Sequence, residues 1–334
     1  MDKTILLAHG SGGKLSHALI EKYLLPGLEN PILKTMDDSA VLDLAGQLAF
    51  TTDSFVVSPL FFPGGDIGRL AVCGTVNDLS MVGAKPLYLS LALIIEEGLA
   101  LDDLEKIIHS IQAAARESGT QVVTGDTKVV NRGCADKLFI NTAGLGVVAP
   151  GTHVSGANAR PGDRVILSGS IGDHGIAVMA QRQGLRLKVT VESDCAPLNS
   201  LVMEMLEDPS AVHSLRDPTR GGLATTLNEL ARQSAVGIKV YEEKIPLRDS
   251  VASACALLGL DPLYVANEGK LIAIVAPEKA EEILARMRKT RYAESAAIIG
   301  EVRSENPGRV VMQTRLGTSR IVDMLSGELL PRIC

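Results

Sequence analysis

The 334-residue chain contains no tryptophan, and its aromatic residues amount to only 3%. Its core must therefore be assembled from Leu, Ile, Val and Ala, a composition typical of layered α/β packing, and few rings are left for stacking on nucleic-acid bases. Positive charge is not in excess either. A formal net charge of -6 gives no broad basic footprint for nucleic acid and points instead to a small-molecule or protein partner. Long apolar runs are absent: the most hydrophobic stretches, 87–95 and 251–260, fall far short of a bilayer span. The start of the chain passes from a short apolar patch, 5–8, into a glycine loop, unlike a secretory signal. A cytoplasmic protein without a membrane helix is expected. The five cysteines, Cys73, Cys134, Cys195, Cys255 and Cys334, include no CxxC pair, so neither a disulfide framework nor a structural zinc site is indicated.

What is present argues for a folded protein. Hydrophobic residues make up 46% of the chain and charged residues 22%, and the length favours two globular units over one. In the first half, 49–52, 87–95, 122–124 and 138–148 read as strands, while apolar residues at helical spacing predict helices over 66–82 and 100–118. The Gly-, Pro- and Asn-rich stretch 150–163 interrupts the pattern and leads into the apolar run 165–167. The expected organisation is an N-terminal domain over 1–155, a C-terminal α/β domain over 156–316 and a mobile tail over 317–334. In the second half, helices are expected from Gly175, over 222–234 and near Asp249 and Glu278, with strands near 238–241, 271–275 and 309–312.

Candidate chemistry begins at His9-Gly-Ser-Gly-Gly-Lys14, directly before a helical pattern at 15–25. Gly10, Gly12 and Gly13 suit a loop that wraps phosphate oxygens with backbone N–H groups, with Lys14 adding positive charge. Neither common template fits. A P-loop needs Gly where Ala8 stands and Ser or Thr at Leu15, and the dinucleotide fingerprint needs Gly at Leu15. An N-terminal arm with a helix cap explains the segment equally well.

Carboxylates recur where apolar strands end: Asp37 and Asp38, Asp53, Asp78, and Asp126 with Lys128 close behind. Singly, each reads as a turn former or a cap. Repeated at the same kind of position, they predict convergence at one edge of a sheet. Several hard oxygen ligands suit magnesium, which usually completes its shell with substrate phosphates, so ATP is the expected nucleotide. Lys128 suits neutralisation of charge on a transferred phosphoryl group, or is simply a solvated lysine.

Further along, Arg216-Asp-Pro-Thr-Arg-Gly-Gly-Leu223 sets Thr219 and Arg220 before a helix start, as an anion site or as a tight junction. In Gly172-Asp-His-Gly175, Asp173 suits a helix cap and His174 has no assigned role. Glu268, at a strand entrance beside Gly269, is a candidate general base or part of a surface turn. Cys334 closes the chain. Seventeen peptide steps from Gly317 span roughly 55 Å when extended. A compact chain of this length has a radius of gyration of about 20 Å, so a terminal thiol has the reach to enter an active site.

Together these segments resemble the superfamily of aminoimidazole ribonucleotide synthetase, selenophosphate synthetase and thiamine monophosphate kinase. The general signals are Asp-Asp-Ser-Ala-Val, Thr-Thr-Asp, Val-Asn-Asp and Thr-Gly-Asp. His-Gly-Ser-Gly-Gly-Lys, Gly-Asp-His-Gly, Asp-Pro-Thr-Arg-Gly-Gly-Leu, Asn-Glu-Gly-Lys and the closing Pro-Arg-Ile-Cys extend the resemblance, over the whole chain, to the carbamoyl dehydratase family of nickel–iron hydrogenase maturation. The resemblance implies two α/β domains and a homodimer whose N-terminal strands build a shared barrel-like core. It implies ATP with Mg2+ in a cleft formed by the glycine loop and the aspartates. It also implies that Cys334 is carbamoylated by the carbamoyltransferase HypF, dehydrated to a thiocyanate, and relieved of cyanide by a HypC–HypD iron scaffold. On that reading Asp37, Asp38, Asp53, Asp78 and Asp126 hold metal, Lys128 stabilises an oxygen and Glu268 removes a proton. A related enzyme acting on a free small molecule, or a non-catalytic cysteine carrier, are the alternatives.

Overall fold

The computed structural model describes residues 4–10, 14–35, 39–185, 189–325 and 332–334. After α1 (Lys14–Leu19) and α2 (Leu25–Leu28), the first half contains β1 (Leu48–Phe55) and a short ribbon of β2 (Phe61–Phe62) and β3 (Gly65–Asp66). Then come α3 (Ile67–Met81), β4 (Ala84–Glu96), α4 (Leu101–Ser118), β5 (Gln121–Val130) and β6 (Leu138–Val148). The four long strands form a sheet in the order β1-β6-β4-β5, parallel only between β4 and β5. Sequence sets the helix ends. The Asp66 carboxylate accepts hydrogen bonds from the N–H groups of Gly68 and Arg69 at the start of α3, and Gly119 closes α4 at a φ of 72°.

Alternation along β1 decides which face is covered. Phe55 turns inward against α3, whereas Leu48 and Phe50 turn outward, Phe50 with 72% of its surface exposed. Ile94 of β4 is also exposed on the sheet. Within one chain the sheet is open, with helices on one face.

The second half is built on β7 (Arg164–Leu167), β8 (Val212–Arg216), β9 (Gly237–Tyr241), β10 (Ile272–Val275), β11 (Ala297–Arg303), β12 (Val310–Gln313) and β13 (Ser319–Val322). They form a sheet in the order β13-β12-β9-β11-β7-β10-β8. Its helices are α5 (Asp173–Gln183), α6 (Asn199–Met205), α7 (Gly222–Gln233), α8 (Asp249–Leu258) and α9 (Ala280–Met287). The central strand β10 explains the layering. Ile272 and Ile274 pack with Leu223, Leu227 and Leu230 of α7, while Ala273 and Val275 pack with Met205 of α6 and Ile283 and Met287 of α9. A strand covered on both faces has no polar side to show, hence the uninterrupted apolar run. The architecture is a mixed α/β fold of two domains. Among the described residues, no helix is long and apolar enough to cross a membrane.

Candidate functional site

Three loops of the second half meet over α3 because one buried side chain ties them. Asn267 accepts a hydrogen bond from the Gly172 N–H at 2.7 Å and donates to the Pro218 carbonyl at 2.8 Å, joining segments 170–175, 216–222 and 266–270. Gly222 makes this junction possible. Its φ is +61°, and an added Cβ would come within 2.6–2.7 Å of the Leu263 and Val265 carbonyl oxygens. From the first half, Asn77 of α3 donates to the Ala196 carbonyl and accepts from the Leu198 N–H, and Arg69, about two turns earlier, donates to the Cys195 carbonyl. These bonds fix the two halves against each other.

The chain end lies in the cleft so formed. The Val56 N–H donates to the Cys334 carbonyl at 3.1 Å and the Ser58 N–H to the Arg332 carbonyl at 3.3 Å, a short ladder beyond β1. Arg182 adds a 2.6 Å bond to the Arg332 carbonyl, Arg332 pairs with Asp136 at 2.5 Å, and His174 Nε2 lies 2.8 Å from the Ile333 carbonyl. Ile333 is buried in the first-half core, with Cys334 packed against it. Burial, then the neighbouring Glu268 and Asp53, push the Cys334 thiol up to about 12, against the opposing pull of Arg220. The resting sulfur is a protonated thiol at neutral pH.

Around it stands a set of carboxylates that repel one another. Burial, Asp217, Asp194 and Asp53 raise Glu268 well above the usual carboxylate range, and its Oε1 has no hydrogen-bond partner among the described residues. Asp53 is raised by burial and by Asp78, with the Ser54 N–H and Arg220 working the other way. Asp78 is raised by burial, tempered by the Thr51 hydroxyl at 3.0 Å and by Arg216 and Arg220. Asp217 reaches about 7 through burial and Asp78. Asp194 differs: burial works against its charge, but Lys270 at 3.1 Å and the Glu268 N–H, which donates to its Oδ1, hold it below the usual range.

Charge of one sign held in excess, with an unpartnered buried oxygen, is the environment a cation relieves. Among the described residues, no three carboxylate, imidazole or thiol side chains stand close enough to cage a metal ion. One or two carboxylates completed by substrate oxygens is how magnesium usually binds, and Asp53 and Asp78 fit that mode.

Of the other residues singled out in the sequence, Asp126 and Lys128 lie away from this cleft. Asp126 pairs in register with Ala92, whereas Asp53 lies in the neighbouring row through Thr142 and Leu91, so strand parity turns Asp126 to the opposite face. Its side chain is 60% exposed and pairs with the 65% exposed Lys128 at 3.0 Å. Gly10, Asp126 and Lys128 help line a cavity of about 330 Å3 at the free edge of β5, together with Ser16, Leu24 and Thr124. Thr219 and the exposed Arg220 precede α7 at the cleft. Gly12, Gly13, Asp37, Asp38 and the Lys14 side chain lie outside the described residues. Asp217, His174 and Asn77 belong to the cleft but carry no expectation from sequence. Asp217 had a signal: it sits in the same Arg-Asp-Pro-Thr-Arg segment, next to the end of β8.

The family model for the N-terminal domain of AIR synthase related proteins matches residues 36–148, and that for the C-terminal domain matches residues 160–313. The carbamoyl dehydratase HypE of Azotobacter vinelandii is 54% identical over 99% of this chain and 97% of its own length. The crystal structure of hydrogenase maturation protein HypE in complex with ATP superposes with a TM-score of 0.96 at 54% identity, covering 99% of this chain and 100% of that one. HypE in the crystal structure of a HypE–HypF complex matches with a TM-score of 0.82 at 51% identity, covering 92% of this chain and 100% of that one.

Proposed function

The chain belongs to the HypE family of carbamoyl dehydratases, and we propose that it dehydrates a carbamoyl group on the sulfur of Cys334 to a thiocyanate, with ATP as co-substrate. The observation that carries this reading is the seating of the terminal thiol beside Glu268, Asp53 and Arg220 in a buried cleft. The net change converts Cys334–S–C(=O)–NH2 and ATP into Cys334–S–C≡N, ADP and phosphate. Oxide is an impossible leaving group. ATP supplies the phosphoryl group with which the carbonyl oxygen departs as phosphate, and the two nitrogen-bound protons must be removed.

The residues divide this work. Glu268 is the base: a carboxylate raised by burial and by its acidic neighbours accepts a proton more readily than an ordinary one. That role needs its ionised form, so the rate should rise with pH as Glu268 deprotonates. Asp53 and Asp78, with Asp37 and Asp38, are the proposed magnesium ligands of one chain, and Asp126, which faces away from them in its own sheet, is proposed to join them from the second chain of a dimer. Thr219 and Arg220, with Gly10, Gly12, Gly13 and Lys14, are the proposed nucleotide contacts, and Lys128, on the outer face of its own sheet, is proposed to stabilise the phosphoryl or carbamoyl oxygen in the cleft of a second chain. The bonds to the carbonyls of residues 332–334 hold the thiol end in place.

We further propose a homodimer paired through the bare outer face carrying Leu48, Phe50 and Ile94, whose exposure on a sheet is supporting evidence. The proposed division of the chain is 1–155 and 156 onward, with the tail that delivers Cys334 starting after β13 rather than at 317, because 319–322 pairs with β12 in the second sheet. HypF as carbamoyl donor and a HypC–HypD scaffold as cyanide acceptor complete the reading, in the cytoplasm. The test is intact mass after incubation with the carbamoyltransferase, carbamoyl phosphate and ATP. Gain of a carbamoyl group and then loss of one water, both mapped to Cys334, is expected; an ATP-independent transfer without loss of water would defeat the proposal.

A further inference from the structure

His174 is fully buried at the first turn of α5, and the reaction as described gives it no task. Its surroundings define its hydrogens. The Ile333 carbonyl, 2.8 Å from Nε2, can only accept, so Nε2 carries the proton. Nδ1 must then accept, and the Ser193 hydroxyl 2.8 Å away is its donor. Ser193 Oγ in turn accepts the Cys195 N–H at 3.1 Å, so the chain of bonds runs from the 193–195 segment through the ring to the last peptide group. Phe62 packs edge-on to the imidazole with centroids 5.4 Å apart, which holds its plane. Burial lowers the affinity of the ring for a second proton, in keeping with a neutral ring of one tautomer.

We propose that His174 is the positioning residue for the terminal cysteine: its Nε2–H fixes the Ile333 carbonyl and thereby sets where the Cys334 sulfur stands relative to Glu268. This rests on the dehydratase reading only for its effect on turnover. The seating of the thiol is a property of the free protein. The geometry is specific, because Ile333 contributes its only backbone acceptor to this bond, while the flanking carbonyls of Arg332 and Cys334 are held separately by Ser58, Arg182 and Val56. Losing the donor leaves a buried carbonyl unpaired, which favours release of the last residues.

The experiment measures alkylation of Cys334 by iodoacetamide in the nucleotide-free protein, followed by mass mapping, beside single-turnover dehydration of Cys334-carbamoylated protein. His174→Phe keeps the ring contact with Phe62 and removes the donor. It should speed alkylation of Cys334 by about tenfold or more, because a released thiol regains its ordinary acidity, and it should slow dehydration. His174→Gln, whose amide can donate to the same carbonyl, should recover much of both. Unchanged alkylation in His174→Phe overturns the proposal, and so does a Gln variant that behaves like Phe, since the hydrogen bond would then not be the cause. If His174→Phe fails to fold, Ser193→Ala removes the group that fixes the tautomer, and an alkylation rate equal to wild type would again overturn it. Faster alkylation with unaltered dehydration would keep the thiol's seat but refute the positioning role. Absence of dehydration in the wild-type protein would instead count against the proposed function and leave the alkylation result standing.

Discussion

Asp53 in Thr-Thr-Asp and Asp126 in Thr-Gly-Asp stand in similar sequence motifs on strands of one sheet, yet the fold gives them opposite surroundings. Asp53 points into the cleft beside Asp78 with its charge disfavoured by burial, whereas Asp126 lies on the other face in an exposed pair with Lys128. One step of strand register separates the two outcomes. The acidic motifs of this chain therefore form two regions: a buried acidic cleft that holds the terminal thiol, and an open edge lined by Gly10, Asp126 and Lys128.

The sharpest way to break this division is Cys334→Ala. It should abolish thiocyanate formation, whereas an enzyme acting on a free small molecule would continue to turn over. Glu268→Gln should slow nitrile formation by about a hundred- to ten-thousandfold, the usual worth of a positioned base, while nucleotide still binds; single-turnover kinetics with a binding measurement checks both. Lys128→Ala, on the open edge, should cost about a hundred- to a thousandfold if it stabilises a developing oxyanion. Mixing Lys128→Ala with Glu268→Gln sharpens the comparison further: partial recovery of activity would show that the edge of one chain serves the cleft of another, and no recovery would keep the two regions within one chain. Phe50→Asp should shift the protein from dimer to monomer in analytical ultracentrifugation, and an unchanged sedimentation profile would argue against the outer face as the contact.

The smallest expected effect is on stability. Asp217 is raised from 3.8 to about 7 in the folded protein. Its contribution is fully present below the unfolded pKa and is lost as pH rises from about 4 through about 7. Asp217→Asn, which cannot ionise, should therefore gain stability relative to wild type at pH 8 but not at pH 3.5. The gain should be about 1–4 kcal/mol, read from denaturant midpoints. Equal differences at both pH values would mean that Asp217 is not the strained acid it is taken to be.

How much of this was legible before the fold depends on where each signal resides. Helices 66–82 and 100–118 emerge within a residue of α3 and α4, because an Asp cap and a terminal glycine are local. The run 271–275 betrays β10 because both its faces are buried. β8 carries no strand pattern in the sequence: His213 and Ser214 interrupt its apolar residues, and their partners are the distant Asp163 and the Ser155 carbonyl. β13 is a polar edge strand, with Arg320 paired to Asp261, and α6 is too short to show a period. In the site, residue types and motifs were visible, but face was not. Glu268 reads as a surface turn in sequence because its neighbours are glycine and lysine; it is buried because Asn267 pulls three remote loops together. His174 had no pattern to announce it, since its partner is a backbone carbonyl at the far end of the chain.

The central claim is that the seated thiol is where water is lost, with Glu268 taking the proton. Carbon-13 spectra of protein carrying a labelled carbamoyl group on Cys334 test it directly after addition of ATP and magnesium. The carbonyl signal should give way to a nitrile signal in the wild-type protein and persist in Glu268→Gln. A nitrile appearing at the wild-type rate in that variant, or no nitrile on Cys334 at all, would contradict the account.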